Sequence, residues 1–255
     1  MSYQHLELSK PADQILQVLL NRPRQFNALN KTKIQELFQA LEGFESSTDE
    51  FLILTGVGRA FCFGADFTEF ENREELPHLL SLFQRLISRL YDCPKITVAC
   101  LNGFATGAGL DLALACDFRI AAEKIKLGEA YISMGLVPDG GASFFLPRLI
   151  GTGRALEMLL TGEAISAEQA LQYGLVHRVY PPNELLESTL KFVAALSTKT
   201  KMARQLIKKL VKEPAANLHD ALQKERESQL ICFEDPDHRR LAEEFNAKTQ
   251  RRKEK

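Results

Sequence analysis

The chain has 255 residues, 45% of them apolar and 25% charged, and its 32 Lys and Arg against 33 Asp and Glu leave a net charge of −1. That size suits a large globular core with or without an appendage, and the charge balance gives no surface-wide cationic footprint for nucleic acid. Five cysteines (Cys62, Cys93, Cys100, Cys116 and Cys232) show no Cys-x-x-Cys spacing, so they read as reduced thiols of a cytoplasmic protein with no metal site implied. The opening "MSYQHLELSK" lacks the apolar run of a signal peptide, and no stretch approaches the roughly 18 apolar residues that would span a membrane. The basic end "KTQRRKEK" reads as a solvated terminus.

In chain order, "DQILQVLLN" predicts a strand that stops at "RPRQFNALN", where Pro and Asn punctuate it. Asn30 has the place of an N-cap for a helix to about Glu45, with Ile34, Leu37, Phe38 and Leu41 on one face. "FLILTG" predicts a buried strand leading into the glycine-bearing loop "VGRAFCFGADF". A helix from about Leu76 to Tyr91, the strand "KITVACLNG", the helix "GAGLDLALACD" and the strand "FRIAA" follow. This order suggests stacked β-β-α turns. From about Pro181 the β-like runs stop, and "PNELLESTLKFVAALS", "KMARQLIKKLVKE", "LHDALQKERESQLICF" and "DHRRLAEEFNAK" all carry amphipathic helical spacing. The expected division is an α/β core over residues 1–196 and a helical region over 197–255. Apolar faces in the latter favour self-association unless they fold back.

Two glycine turns are candidates for close approach of a ligand to the backbone: "FCFGADF" and "ATGAGLDLA". The second opens a helix, whose first N–H groups are unpaired and partly positive. Two such N–H groups aimed at one carbonyl oxygen would form an oxyanion hole, where loss of one donor typically costs about 2.7–4 kcal/mol in the transition state. Tight strand–helix packing explains the same glycines equally well. Neither turn matches a nucleotide-binding fingerprint.

The segments "NRPRQFNAL", "GRAFCFGADF", "NGFATGAGLDLALACDFRIA", "GLVPDGG" and "TGEAISAEQALQYGLVHRVY" occur in this order. Together they resemble the crotonase, or enoyl-CoA hydratase/isomerase, superfamily. The resemblance implies an α/β fold, a spiral of β-β-α turns with a C-terminal helical trimerisation region, in trimers or hexamers. It implies coenzyme A thioesters as substrates, with no tightly bound cofactor. It also implies an oxyanion hole, here the backbone N–H groups of Ala65 and Ala108. Substrate contacts carried over by the same match are Arg24, Ala28, Leu29, Phe63, Gly64, Asp66, Phe67, Phe70, Gly107, Gly109, Tyr131 and Lys208.

The acids bear on the reaction. Hydratases of the family carry two glutamates, and the matching positions here are Asp111 and Tyr131. Glu129 lies two residues from the second position and is expected to point elsewhere. Tyrosine, with an ordinary pKa near ~10, is a poor base. "GLVPDGG" resembles the segment in which the family's isomerases place an acid, here Asp139. The 3-enoyl-CoA isomerases and the ring-epoxide isomerase of phenylacetate breakdown are of this kind, and the latter also has an Ala-aromatic pair like Ala130-Tyr131. Asp139 alone could take an α-proton and return it at the γ-carbon. It could equally cap the helix "GASFFLPRLI", and Asp111 could simply complement a helix dipole. The leading expectation is an acyl-CoA double-bond isomerase using Asp139. The alternatives are a hydratase using Asp111, a dehalogenase for which only His78 offers a roughly placed histidine, and a non-catalytic acyl-CoA-binding or interaction module. No nucleic acid or membrane partner is expected.

Overall fold

The computed structural model describes residues 3–68 and 73–253, with side chains to residue 246. It divides into two compact units, residues 1–191 and 192–255. The first unit holds ten strands: β1 (Leu6–Ala12), β2 (Ile15–Leu20), β3 (Phe51–Gly56), β4 (Ala60–Cys62), β5 (Ile96–Leu101), β6 (Phe104–Thr106), β7 (Phe118–Ala122), β8 (Lys126–Gly128), β9 (Ile165–Ser166) and β10 (Arg178–Tyr180). Its helices are α1 (Lys31–Ser46), α2 (Leu76–Asp92), α3 (Ala108–Leu114), α4 (Ala142–Ile150), α5 (Thr152–Thr161) and α6 (Ala167–Tyr173).

The strands sort into two sheets, ordered β1-β2-β3-β5-β7-β10 and β4-β6-β8-β9. Each turn of chain places one strand in the large sheet, the next in the small sheet, and then a helix: β3-β4-α2, then β5-β6-α3. Successive turns pair in parallel in both sheets. The expected β-β-α spiral is therefore the observed fold. Parallel strands covered on both faces must be apolar throughout. Accordingly, every residue of β5 and all but the last of β3 are buried. Burying side chains such as Phe51, Ile53 and Val98 contributes about 1.5–3 kcal/mol each.

Local signals explain the element ends. Asn30 Oδ1 accepts from the Lys33 amide at 2.9 Å, capping α1, a bond worth about 1 kcal/mol. Along α2, Leu79, Phe83, Leu86, Ile87 and Leu90 form the buried stripe. β1 escaped the sequence reading because only Leu6 of its seven residues is buried. It is the antiparallel edge strand, so no apolar alternation marks it.

The helix α7 (Leu185–Ser197) leads from the first unit into the second, which continues with α8 (Lys201–Lys212), α9 (Leu218–Glu234) and α10 (Pro236–Lys253). Thr200 and Asn217 cap α8 and α9 through their side-chain oxygens. Ile207, Val211, Leu218 and Phe245 lie exposed along these helices.

Candidate active site

The site begins at the loop between β2 and α1. Asn27 is fully buried with φ 59°. Its Nδ2 donates to the Val57 and Ala60 carbonyls at 3.0 and 2.8 Å, and its Oδ1 accepts from the Arg22 amide. Lys33 Nζ, also fully buried, donates to the Asn27 carbonyl at 3.0 Å. Burial drops the Lys33 pKa to about 8. Arg22 bonds the Ala28 carbonyl at 3.0 Å and pairs with Asp66 at 2.9 Å. These bonds lock the loop onto the β4 turn.

The lock orients one N–H group. Leu29 pairs with the chain beside Ala65: its amide donates to the Gly64 carbonyl at 2.7 Å, and its carbonyl accepts from the Asp66 amide at 2.8 Å. Bonds on either side of Ala65 turn its own N–H to the opposite side. Gly64 has φ 105°, a left-handed conformation that suits glycine. A Cβ there would stand 2.9 Å from the Thr106 carbonyl oxygen and 3.7 Å from the Ala108 nitrogen, so the two glycine loops are neighbours. Thr106 Oγ1 donates to the Phe63 carbonyl at 2.8 Å and ties them together. Ala108 opens α3, where its amide has no helical acceptor. Among the described residues neither the Ala65 nor the Ala108 amide donates to another protein group. A Cβ on Gly109 would collide with the Cys62 carbonyl, so α3 rests directly on β4.

Beyond these amides lies a group of acids. Tyr131 stands against the second loop, its ring 3.7 Å from where a Gly107 Cβ would be. Its Oη is 2.7 Å from Asp111 Oδ2 and 2.8 Å from Asp139 Oδ1. A phenol has one proton, so it can donate to one carboxylate and must accept from the other. Both contacts are hydrogen bonds only if at least one of the aspartates carries a proton. Burial, then the neighbouring carboxylates, pushes the Tyr131 pKa far up, so the phenol keeps its proton.

Asp111 is wholly buried, and desolvation moves its pKa up to about 7 against the easing effect of the Tyr131 bond, with Asp139 adding repulsion. Its Oδ1 has no hydrogen-bond partner, although the amides of Ala142 and Gly140 favour the charged form. Asp139 is half-buried; desolvation raises its pKa, opposed by Tyr131 and its own amide. The capping alternative for Asp139 does not occur. Gly141 is the N-cap of α4, with no side-chain cap, and the Asp139 carboxyl turns to Tyr131 instead.

Glu129 requires a correction, because it does not point away. It is wholly buried, both carboxyl oxygens lack partners, and desolvation with repulsion from Asp111 and Asp139 holds its pKa well above the usual range. Three carboxyls therefore share one region, yet among the described residues no acids, cysteines or histidines are arranged to hold a metal ion. Glu129, Arg22 and Asn27 are the residues sequence reasoning missed. A charge in "LGEAY" that follows two buried strand residues is the one local signal that could have marked Glu129.

Ala28, Leu29, Gly64 and Gly109 are buried in the loops that carry the two amides. Phe63 is exposed, its ring 6.0 Å from Phe26 and 5.6 Å from Phe104. Phe67 is exposed as well. Asp66 accepts from Thr68 Oγ1 at 2.8 Å and from Arg22. Burial opposes its charge, yet those bonds outweigh it and hold its pKa below the ordinary carboxyl value. Arg24 is exposed in the 3-10 turn Pro23–Gln25. Lys208 is half-buried on α8, in the second unit. Phe70 lies outside the described residues.

A β-β-α spiral with two apposed glycine loops is the architecture of crotonase-fold proteins. The solved enoyl-CoA hydratase from Bacillus anthracis superposes with a TM-score of 0.92 at 34% identity, over 96% of this chain and 97% of that one. The enoyl-CoA hydratase/isomerase family profile matches residues 11–253, and the chain belongs to that family. It is 33% identical over 244 residues to crotonyl-CoA hydratase of Syntrophomonas wolfei, covering 94% of each chain. It is also 33% identical over 242 residues to 1,2-epoxyphenylacetyl-CoA isomerase of Escherichia coli, covering 92% of each. The family acts on coenzyme A thioesters, in which coenzyme A is part of the substrate. No helix among the described residues is long and apolar enough to cross a membrane.

Proposed function

We propose that this chain is an acyl-CoA double-bond isomerase, shifting a 3-enoyl-CoA to a 2-enoyl-CoA or acting likewise on a ring analogue. The observation that carries this reading is the unequal access of the two aspartates: Asp139 is half-exposed, while Asp111 is fully buried and bonded to Tyr131. The Asp139 carboxylate takes a proton from C2. The C–H electron pair enters a dienolate, whose charge on the thioester oxygen is met by the N–H groups of Ala65 and Ala108. Asp139 then returns the proton at C4 and regains its charge. A carboxyl with a raised pKa is a stronger base for this step.

Ala28, Leu29, Gly64, Gly107 and Gly109 would bring backbone close to the thioester, with Arg24 meeting the coenzyme's phosphates. Phe63 and Phe67 would wall the acyl chain. The exposed apolar side chains of α8 to α10 support a homotrimer or hexamer, and five cysteines with no Cys-x-x-Cys spacing support a cytoplasmic location. The near-zero net charge gives no support to a nucleic-acid partner.

Hydration through Asp111 is the second reading, favoured by the names of relatives such as crotonyl-CoA hydratase. Incubation with a 3-enoyl-CoA and a 2-enoyl-CoA in deuterated water separates the readings. Isomerisation lost in Asp139→Asn but kept in Asp111→Asn supports ours. Water addition lost in Asp111→Asn supports the hydratase. Thioester binding with neither turnover nor solvent exchange points to a non-catalytic module.

A further inference from the structure

One oxygen atom sits within hydrogen-bond distance of both aspartates, and it belongs to the protein. Tyr131 Oη, at 2.7 Å from Asp111 and 2.8 Å from Asp139, stands where a water molecule shared by the two carboxyls would stand. The surroundings leave little other room. A Cβ on Gly140 would collide with Asp111 and the Phe83 ring, which closes that side of Asp111. The Tyr131 ring fills the side toward Gly107 and the second amide loop.

We propose that Tyr131 is the residue that decides the outcome of the enolate chemistry: its side chain occupies the position of an attacking water, so the site moves a proton and does not add water. The inference rests on the isomerase reading and extends it. When the two aspartates hold one proton between them, they have the ionisation state that hydration needs. With water in place of the phenol, a water O–C3 bond forms and its proton passes to the ionised carboxylate. The π electrons move to the thioester oxygen, and C2 takes the proton of the other carboxyl. The net change is enoyl thioester plus water to 3-hydroxyacyl thioester, with the two carboxyls exchanging roles. The machinery of a hydratase is thus present with its water site filled by a side chain.

The test compares wild type, Tyr131→Ala and Tyr131→Phe on a short 2-enoyl-CoA and its 3-enoyl isomer in ¹⁸O-water. It reads the rates of ¹⁸O-labelled 3-hydroxyacyl-CoA and of shifted enoyl-CoA separately, and then their ratio. The ratio should rise by about tenfold or more in Tyr131→Ala, within the reach of acid–base catalysis by a positioned pair. A smaller rise should occur in Tyr131→Phe, which keeps the ring and the fold. Adding Asp111→Asn to Tyr131→Ala should abolish the gained hydration. A wild-type ratio in both folded tyrosine variants overturns the proposal. If Tyr131→Ala does not fold, a wild-type ratio in Tyr131→Phe alone overturns it. A wild type that shifts no double bond sinks the isomerase reading instead, because the gain of water addition in the variants is scored independently.

Discussion

Tyr131 Oη lies 2.8 Å from Asp139 Oδ1, and the same hydroxyl is 2.7 Å from Asp111 Oδ2. A donor with one proton between two carboxyls makes them a coupled pair, so the protonation of each shifts that of the other. Asp139 is the half-exposed member and, in the proposed reading, the one that a bound thioester reaches.

The rate should follow that pair. Proton abstraction needs Asp139 ionised, so kcat/KM is expected to rise with pH through a midpoint above the ordinary Asp value of 3.8. The Tyr131 bond lowers the Asp139 pKa, so Tyr131→Phe should move the acid limb to higher pH. A limb that stays put or moves down would contradict the assignment of Asp139 as base.

Stability should show the opposite slope. Asp111 titrates near 7 in the fold against 3.8 in the open chain, so its contribution is complete below about pH 4 and is lost as pH rises through 7. Glu129 is displaced in the same direction. A tenfold difference in proton affinity between the folded and open chain is worth about 1.4 kcal/mol. Urea unfolding of Asp111→Asn should therefore give a flatter profile from pH 5 to 8, with about 1–3 kcal/mol gained at pH 8 relative to pH 5. An unchanged slope would mean that Asp111 is solvated.

Gly109→Ala tests the contact of α3 with β4. The added methyl meets the Cys62 carbonyl and side chain, and overpacking of this kind typically costs about 1–3 kcal/mol. Because Ala108 is the neighbouring residue, turnover should fall more than stability alone explains. A fully active variant, measured well below its unfolding temperature, would argue that the Ala108 amide is not used.

Arg22→Met removes the partner of Asp66 and a donor to the Ala28 carbonyl. Both side chains of the pair are largely shielded, so about 1–3 kcal/mol should be lost at neutral pH. Asp66 has a lowered pKa, so its share is present above the ordinary carboxyl range and fades as pH falls through its folded value. The loss on Arg22→Met should therefore shrink in acid. Thermal melts at pH 7 and pH 3 check this.

Much of the architecture was legible from local pattern. The continuous apolar runs of β3 and β5, the Asn30 cap and the stripe of α2 each report their own surroundings through the residues next to them. The glycines at 64 and 109 were legible too, since positive φ or close backbone approach excludes most other residues. What the sequence by itself determined was therefore the spiral and the two glycine turns, while the pairing of the Ala65 and Ala108 amides came from the family resemblance. Only the tertiary structure decided how the acids are arranged. Asp111 and Asp139 are 20 and 8 residues from the tyrosine they share, and Glu129 is wholly buried. Periodicity records which face of an element is covered. It carries no record of which distant carboxyl covers it, and that meeting of like charges in a dry interior is what sets each proton.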